Sequence, residues 1–247
     1  MIGGDVDRQD LVFIGDVHLD RDDPAVEPFC RMLETVAGDA ATLVLAGDLF
    51  NLWIGGNGPE PDHIRPVLDC LRSIRRSGVA VRYLEGNRDY FIRTHYEGDV
   101  FDSVAENGLY EEVAGLRVFS IHGDLANPDD RQYRNWRRFS RSLPVRLLFR
   151  ACPHRWRTSL ADRLESRMRR SNLEYKREFP ETAVREYAAG PFRNGCDLVV
   201  LGHFHVEKDL PATGPEGSRI LVLPEWKGSR RCLRVGADGQ ARFLPAG

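Results

Sequence analysis

The chain has 247 residues, of which 42% are apolar and 29% charged, with a net charge of −2. That balance excludes a disordered or collagen-like chain, and the length fits one generous domain able to bury a substantial core. No apolar run approaches the roughly 18 residues of a membrane-spanning helix, and the polar first ten residues predict no secretory leader.

In chain order, a short apolar run at 11–14 is closed by Gly15 and followed by Asp16-Val17-His18. A helical stretch at 25–37 leads to a second run, 43–46, closed by Gly47-Asp48-Leu49-Phe50-Asn51. A second helical stretch, 63–77, leads to a run at 79–84 and then Gly86-Asn87-Arg88-Asp89. An alternating segment at 109–113 precedes a run at 118–121 that ends in His122-Gly123-Asp124, and a run at 198–201 ends in Gly202-His203-Phe204-His205. Runs this short, rich in branched residues and bounded by breakers, read as buried strands. Their alternation with helices predicts α/β layering around a sheet that is at least partly parallel. The segments 109–113, 219–223 and 232–235 predict antiparallel additions and a second sheet.

Between 130 and 190 strand-like runs are missing. Pro144, Pro153 and Pro180 punctuate the region, and Leu160, Leu164 and Met168 recur every fourth residue, which gives one apolar helical face. We expect a single domain over 1–247 carrying an inserted basic helical cap of two to four helices at 130–190. Charge divides the same way. Residues 131–177 hold 15 Lys/Arg against 3 Asp/Glu, a balance of +12, whereas the remainder carries −14. The five cysteines, Cys30, Cys70, Cys152, Cys196 and Cys232, are widely spaced and form no C-x-x-C pair, which favours reduced, buried thiols over a thiolate metal site.

Five strand ends thus each deliver carboxylate, imidazole or carboxamide groups. Strand C-termini in layered α/β folds open into a shared crevice, where such groups can converge. Any one of these motifs alone reads as a turn or a helix cap; five in order do not. Asp16, His18, Asp48, Asn87, His122, His203 and His205 are the expected metal ligands, with Asp48 as the bridging group. Mixed nitrogen and oxygen donors without a thiolate suit Mn²⁺, with Fe²⁺ and Zn²⁺ as alternatives, and two such ions need a shared carboxylate. Arg88 is expected to stabilise phosphate charge, and Asp48, Arg88 and His203 to carry the catalysis.

The ordered set D-x-H, G-D, G-N-R-D, H-G-D and G-H-x-H resembles the calcineurin-like metallophosphoesterase superfamily over residues 11–206. The arginine in Gly86-Asn87-Arg88-Asp89-Tyr90, the Phe50 and Trp53 spacing, the helical insertion and the late Leu223-Pro224-Glu225-Trp226 segment resemble the UDP-2,3-diacylglucosamine pyrophosphohydrolases of the lipid A pathway. That resemblance implies a four-layer α/β/β/α sandwich with a helical cap and a di-manganese site. It also implies hydrolysis of a UDP-linked glycolipid to UMP and 2,3-diacylglucosamine 1-phosphate, and peripheral attachment to the cytoplasmic face of the inner membrane. Asn87, Arg88, Asp130, Ser171, Asn172 and Lys176 then fall at substrate-contacting positions. Asn51, Gly56, Asn57, Phe204, Val206 and Glu207 depart from that branch around the pocket, not at a ligand. The runner-up is another member of the superfamily, acting on nucleotides, phosphodiesters or phosphoproteins.

The basic segment interleaves arginines with Trp136, Phe139, Leu143, Leu147, Leu148, Phe149 and Trp156. This pattern suits an anionic membrane surface or an acyl-chain pocket; equally, the apolar residues suit the cap's own small core and the charges a solvated face. No recognised nucleic-acid module is present, so nucleic acid is not an expected partner, and no protein partner is inferred.

Overall fold

The structure is a computed structural model that describes residues 9–56, 59–151, 163, 179–212 and 217–246. Ser171, Asn172, Lys176, the 160–168 helical face and Asn57 lie outside the described residues.

The chain runs β1 (Asp10–Ile14), α1 (Val26–Ala37), β2 (Ala40–Leu45), β3 (Trp53–Ile54), α2 (Arg65–Arg76), β4 (Ala80–Leu84), β5 (Asp89–Tyr90), α3 (Ile92–Tyr96), β6 (Ser103–Ala105), β7 (Leu109–Val113) and β8 (Leu116–Ile121). It continues through α4 (Arg131–Ser140), α5 (Leu143–Ala151), α6 (Glu181–Arg193), β9 (Leu198–Leu201), β10 (Lys208–Pro211), β11 (Arg219–Val222), α7 (Trp226–Ser229), β12 (Arg231–Val235) and β13 (Ala241–Pro245).

Two sheets result, ordered β13-β12-β1-β2-β4-β6 and β10-β11-β9-β8-β7, beside a small β3-β5 pair. In the first sheet β1, β2, β4 and β6 are parallel, while β12 and β13 close one side antiparallel. In the second, β8, β9 and β11 are parallel and the flanking β7 and β10 antiparallel. The segment at 219–223 therefore corrects the expectation in part. It pairs parallel to β9, as well as antiparallel to β10, so its C-terminal end emerges on the same rim as that of β9.

Side-chain alternation sorts the strands into layers. Leu11, Phe13, Val44 and Ala46 face Val118, Leu198, Val200 and Leu221 across the space between the sheets. Val12, Ile14, Leu43 and Leu45 face outward onto Phe29, Met32, Val67 and Leu71 of α1 and α2. Phe119, Ile121, Val199 and Leu201 face outward onto Val184, Ala188 and Phe192 of α6. Burial on both faces explains why the strands read as uninterrupted apolar runs. The architecture is the four-layer α/β/β/α sandwich. Although α6 begins inside the 130–190 span and runs to Arg193, it forms the sandwich's outer layer on the second sheet.

The basic helices divide by contact. Arg137 is buried, with Nε 3.2 Å from Asp124 Oδ2 and Nη2 donating to the Glu106 carbonyl at 2.6 Å. Arg141 lies 3.1 Å from Glu85 and donates to the carbonyls of Gly86 (2.6 Å) and Asp89 (3.0 Å). Trp136, Phe139, Leu143, Leu147 and Leu148 are exposed, from 47% for Trp136 to 73% for Leu148. Of the two readings of these apolar residues, a small core of the cap therefore does not describe these five.

Candidate metal centre

The loops after β1, β2, β4, β8 and β9 meet at one rim and are tied to one another. Val17 and His18 donate backbone N–H groups to the Asp48 carbonyl at 3.1 and 2.9 Å. Trp53 donates to the Arg88 carbonyl at 2.9 Å, and the His203 N–H to Asp16 Oδ2 at 2.7 Å. Close approach depends on glycines. A Cβ on Gly86 would stand 2.2 Å from Asp48 Oδ1, and one on Gly202 2.8 Å from Asp16 Oδ2.

All seven expected ligands are brought together in one continuous chain of contacts. His18 Nε2 lies 3.1 Å from His205 Nε2 and 3.8 Å from both Asp16 Oδ1 and Asp48 Oδ2. His205 Nε2 lies 3.4 Å from Asp16 Oδ1. On the other side, His122 Nε2 is 3.8 Å from Asp48 Oδ1 and 3.0 Å from Asn87 Oδ1, which is itself 3.1 Å from His203 Nδ1. Asp48 thus faces both halves, one oxygen toward each. Among the described residues two ligand-competent clusters emerge, Asp16–His18–His205 and Asp16–Asp48–His122, so Asp16 is common to both.

The local backbone is unusual. Asp16, His18, Asp48, His203 and His205 all have positive φ, between 51° and 72°. Non-glycine residues adopt this region at a cost, and surrounding contacts must hold them there. Side-chain partners fix the ring faces as well. His122 Nδ1 lies 2.7 Å from the Ala46 carbonyl, which can only accept, so Nδ1 carries a proton and Nε2 is the atom turned toward Asn87 and Asp48.

The electrostatics suit a cation. Burial lowers His18 to about 3 and, with His122 adding to it, His203 to about 4, so both rings are neutral donors at pH 7. Against burial, Asp16 and Glu225 raise His205 to about 10. Burial and the Asp16 charge push the Asp48 carboxyl upward, and burial together with Asp48 raises Asp89 to about 7. Asp16 Oδ1 and His18 Nδ1 are buried without a hydrogen bond. The crowded carboxylates and the unsatisfied oxygen are relieved by divalent ions, with His18 and His203 already neutral and His205 giving up its proton on binding, so the donor set fits the expected metals.

Arg88 is buried beside this set. Its N–H donates to Asp48 Oδ1 at 2.9 Å, its Nε lies 3.6 Å from Asp48 Oδ2, and its Nη1 donates to the Asn51 carbonyl at 3.2 Å. Asp130 is the N-cap of α4, with Oδ1 accepting from the Tyr133 N–H at 3.0 Å, a role the sequence reading had not assigned it. Phe204 packs edge-on against His203 and Phe179, both at 5.2 Å between ring centres, and Glu207 pairs with Arg231 at 2.6 Å.

Other organising residues escaped the sequence reading. Asp89 Oδ2 accepts from the N–H groups of Asp48 (2.9 Å) and Gly86 (2.8 Å) and from the Tyr83 hydroxyl (2.8 Å), pinning two ligand loops together. Its place in Gly86-Asn87-Arg88-Asp89 was the available signal. Asp124, in His122-Gly123-Asp124, accepts from the Tyr133 hydroxyl and pairs with Arg137.

Residues 10–207 match the calcineurin-like phosphoesterase family model. The chain belongs to that family. This calcineurin-like phosphoesterase is also similar to proteins named UDP-2,3-diacylglucosamine hydrolase. That of Stenotrophomonas maltophilia strain K279a is 31% identical over 238 residues, covering 92% of this chain and 95% of the relative. Those of Serratia proteamaculans (27%, 92% and 95% covered) and Edwardsiella ictaluri (29%, 92% and 89%) align over similar spans. Among solved structures, Chaetomium thermophilum Vps29 covers 96% of both chains at 9% identity with a TM-score of 0.46, too loose a likeness to argue from.

Proposed function

We propose that this phosphoesterase hydrolyses the pyrophosphate linkage of UDP-2,3-diacylglucosamine, releasing UMP and 2,3-diacylglucosamine 1-phosphate. The observation that carries the reading is the 31% identity to a UDP-2,3-diacylglucosamine hydrolase over 238 residues, a span long enough to take in both the metal centre and the basic helices. The ligand assignment is Asp16, His18 and His205 on one ion and Asn87, His122 and His203 on the other, with Asp48 shared and Mn²⁺ the expected metal. When bound, two such ions lower the pKa of a coordinated water toward neutrality and neutralise phosphoryl oxygen charge.

The protein's own groups do the rest. Arg88 is held rigid by the Asn51 carbonyl and by Asp48, so its guanidinium is preorganised for charge developing on the phosphoryl group. His203 is neutral at pH 7 and stands beside Asn87, placed to orient the substrate phosphate as well as to bind metal. Asp130, Ser171, Asn172 and Lys176 complete the proposed substrate contacts.

The test is manganese-dependent release of UMP from UDP-2,3-diacylglucosamine by the purified, metal-loaded protein. No release from a folded, loaded protein overturns the reading, and faster turnover of simple aryl phosphodiesters favours the broader phosphoesterase alternative. In the same assay His203→Ala is expected to lose about 100-fold or more in kcat/KM, the scale of one removed transition-state partner. Its thermal melting should stay near wild type, because the ring is a ligand and not core packing; wild-type turnover would contradict its role.

Peripheral attachment to the cytoplasmic face of the inner membrane belongs to the same proposal. Among the described residues no helix is long and apolar enough to cross a membrane. The exposed Trp136, Phe139, Leu143, Leu147 and Leu148 lie on the same two helices as the exposed Arg131 and Arg138, the pairing that suits an anionic interface. At about 1 kcal/mol per well-placed cation, Arg131→Gln with Arg138→Gln should cut sedimentation with anionic vesicles roughly tenfold or more. Sedimentation unchanged by the substitutions and by salt would assign the attachment to the apolar residues alone.

A further inference from the structure

The strand end of β11 delivers a sixth loop to the metal rim, and it reaches every ligand of one cluster. Glu225 Oε2 lies 3.4 Å from His205 Nδ1. The Trp226 N–H donates to the Asp16 carbonyl at 3.3 Å. Lys227 Nζ donates to the His18 carbonyl at 2.6 Å and pairs with Asp23. Asp23 in turn accepts from the N–H groups of Asp20 (3.0 Å) and Ala25 (2.9 Å), so the whole connection after His18 is clamped.

The segment is itself immobilised. The Trp226 indole is fully buried, edge-on to Phe29 at 4.8 Å, with the Arg230 guanidinium 4.1 Å above its ring. The other ligands take their support elsewhere: His122 from the Ala46 carbonyl, and the loop carrying Asn87 from Asp89. Asp16, His18 and His205 are also three of the left-handed residues, which persist only where neighbours over-determine them. A carboxylate on Nδ1 of a metal-binding histidine fixes the ring and presents Nε2 as the donor, and here Nε2 is the atom aimed at Asp16 and His18.

We infer that Glu225, Trp226 and Lys227 form a positioning element for the Asp16–His18–His205 metal site and set its affinity separately from that of the second site. Glu225 is a positioning residue acting through His205. The segment lies beyond residues 10–207, the part that matches the family model, so this support is not contained in the five ligand motifs. The inference rests on the two-ion reading above.

The experiment is calorimetric titration of the chelator-stripped protein with Mn²⁺, alongside thermal melting of the metal-free forms. Wild type should bind two equivalents. In Glu225→Gln one equivalent should weaken about 10–100-fold and the other keep its affinity, with melting close to wild type. Lys227→Met should weaken the same single equivalent, which keeps the test available if one variant folds poorly. Two unchanged equivalents in both variants, or both equivalents weakened alike, would overturn the positioning role. Fewer than two equivalents in the wild type would instead overturn the two-ion reading on which it stands.

Discussion

Asp48→Asn should lower hydrolysis about 1000-fold or more while leaving the metal-free protein as stable as wild type, or more so. Asp48 faces both halves of the centre, Oδ2 toward His18 and Oδ1 toward His122. Bound ions supply several kcal/mol of transition-state stabilisation, and each 1.36 kcal/mol is about tenfold in rate. Loss of the shared carboxylate therefore removes most of the activity. Stability moves the other way. Burial and the neighbouring Asp16 raise the Asp48 carboxyl above its ordinary value, opposed by His122 and Arg88. A carboxyl raised on folding favours the folded state below its unfolded pKa and weighs against it once both states would ionise, so at pH 7 the wild-type charge is a net cost. Asparagine keeps the acceptor for the Arg88 N–H, removes the charge, and tolerates the left-handed backbone that Asp48 adopts. A gain of about 1 kcal/mol is the usual scale for relieving such functional strain, or about 2–4 °C in melting temperature for a domain of this size. UMP release with manganese and melting in chelator measure the two halves. Retained turnover would remove Asp48 from the centre, and a large drop in melting temperature would make it a structural residue.

The five ligand motifs were legible because each follows a strand buried on both faces, which leaves an unbroken apolar run ending in a glycine or a polar turn. Glu225 was not legible as a sixth. Residues 219–223 stood out as a strand, but whether it runs parallel to β9 depends on pairing, which local pattern does not encode. Only the parallel pairing sends Pro224 and Glu225 to the metal rim. The helix α6 was hidden for a related reason: Val184, Ala188 and Phe192 make the same apolar stripe whether the helix covers a sheet or builds a separate cap. The left-handed backbone at Asp16, His18, Asp48, His203 and His205 had no signal at all, because none of these positions carries the glycine that usually marks it. The +12 of residues 131–177 was correct as a sum and silent about partners. Arg131 and Arg138 face solvent, whereas Arg137 and Arg141 are buried against acids of the core.

That distinction carries the largest expected effect on stability. Arg141→Met should cost about 3–5 kcal/mol, the scale of breaking a buried ion pair from one side, or roughly 10 °C in melting temperature. Its guanidinium is the partner of Glu85, whose side chain is 1% exposed, and it also satisfies the carbonyls of Gly86 and Asp89 that flank Asn87 and Arg88. Even with that partner, burial raises the Glu85 carboxyl to about 7. Without Arg141 it rises further, so the variant sheds the charge by binding a proton on folding. A carboxyl raised on folding favours the folded state below its unfolded pKa and loses that advantage as pH climbs through the folded value. The penalty of Arg141→Met should therefore be smaller at pH 6 than at pH 8. Replacing both partners, Glu85→Gln with Arg141→Met, leaves no stranded charge and should recover more than half of the loss at pH 8, since neutral replacements of buried pairs are often tolerated. A pH-independent penalty, or no recovery in the double variant, would mean that Arg141 acts through its carbonyl contacts alone. Either way the C-terminal end of α4, capped by Arg141, is fastened to the Asn87–Arg88 loop through this arginine.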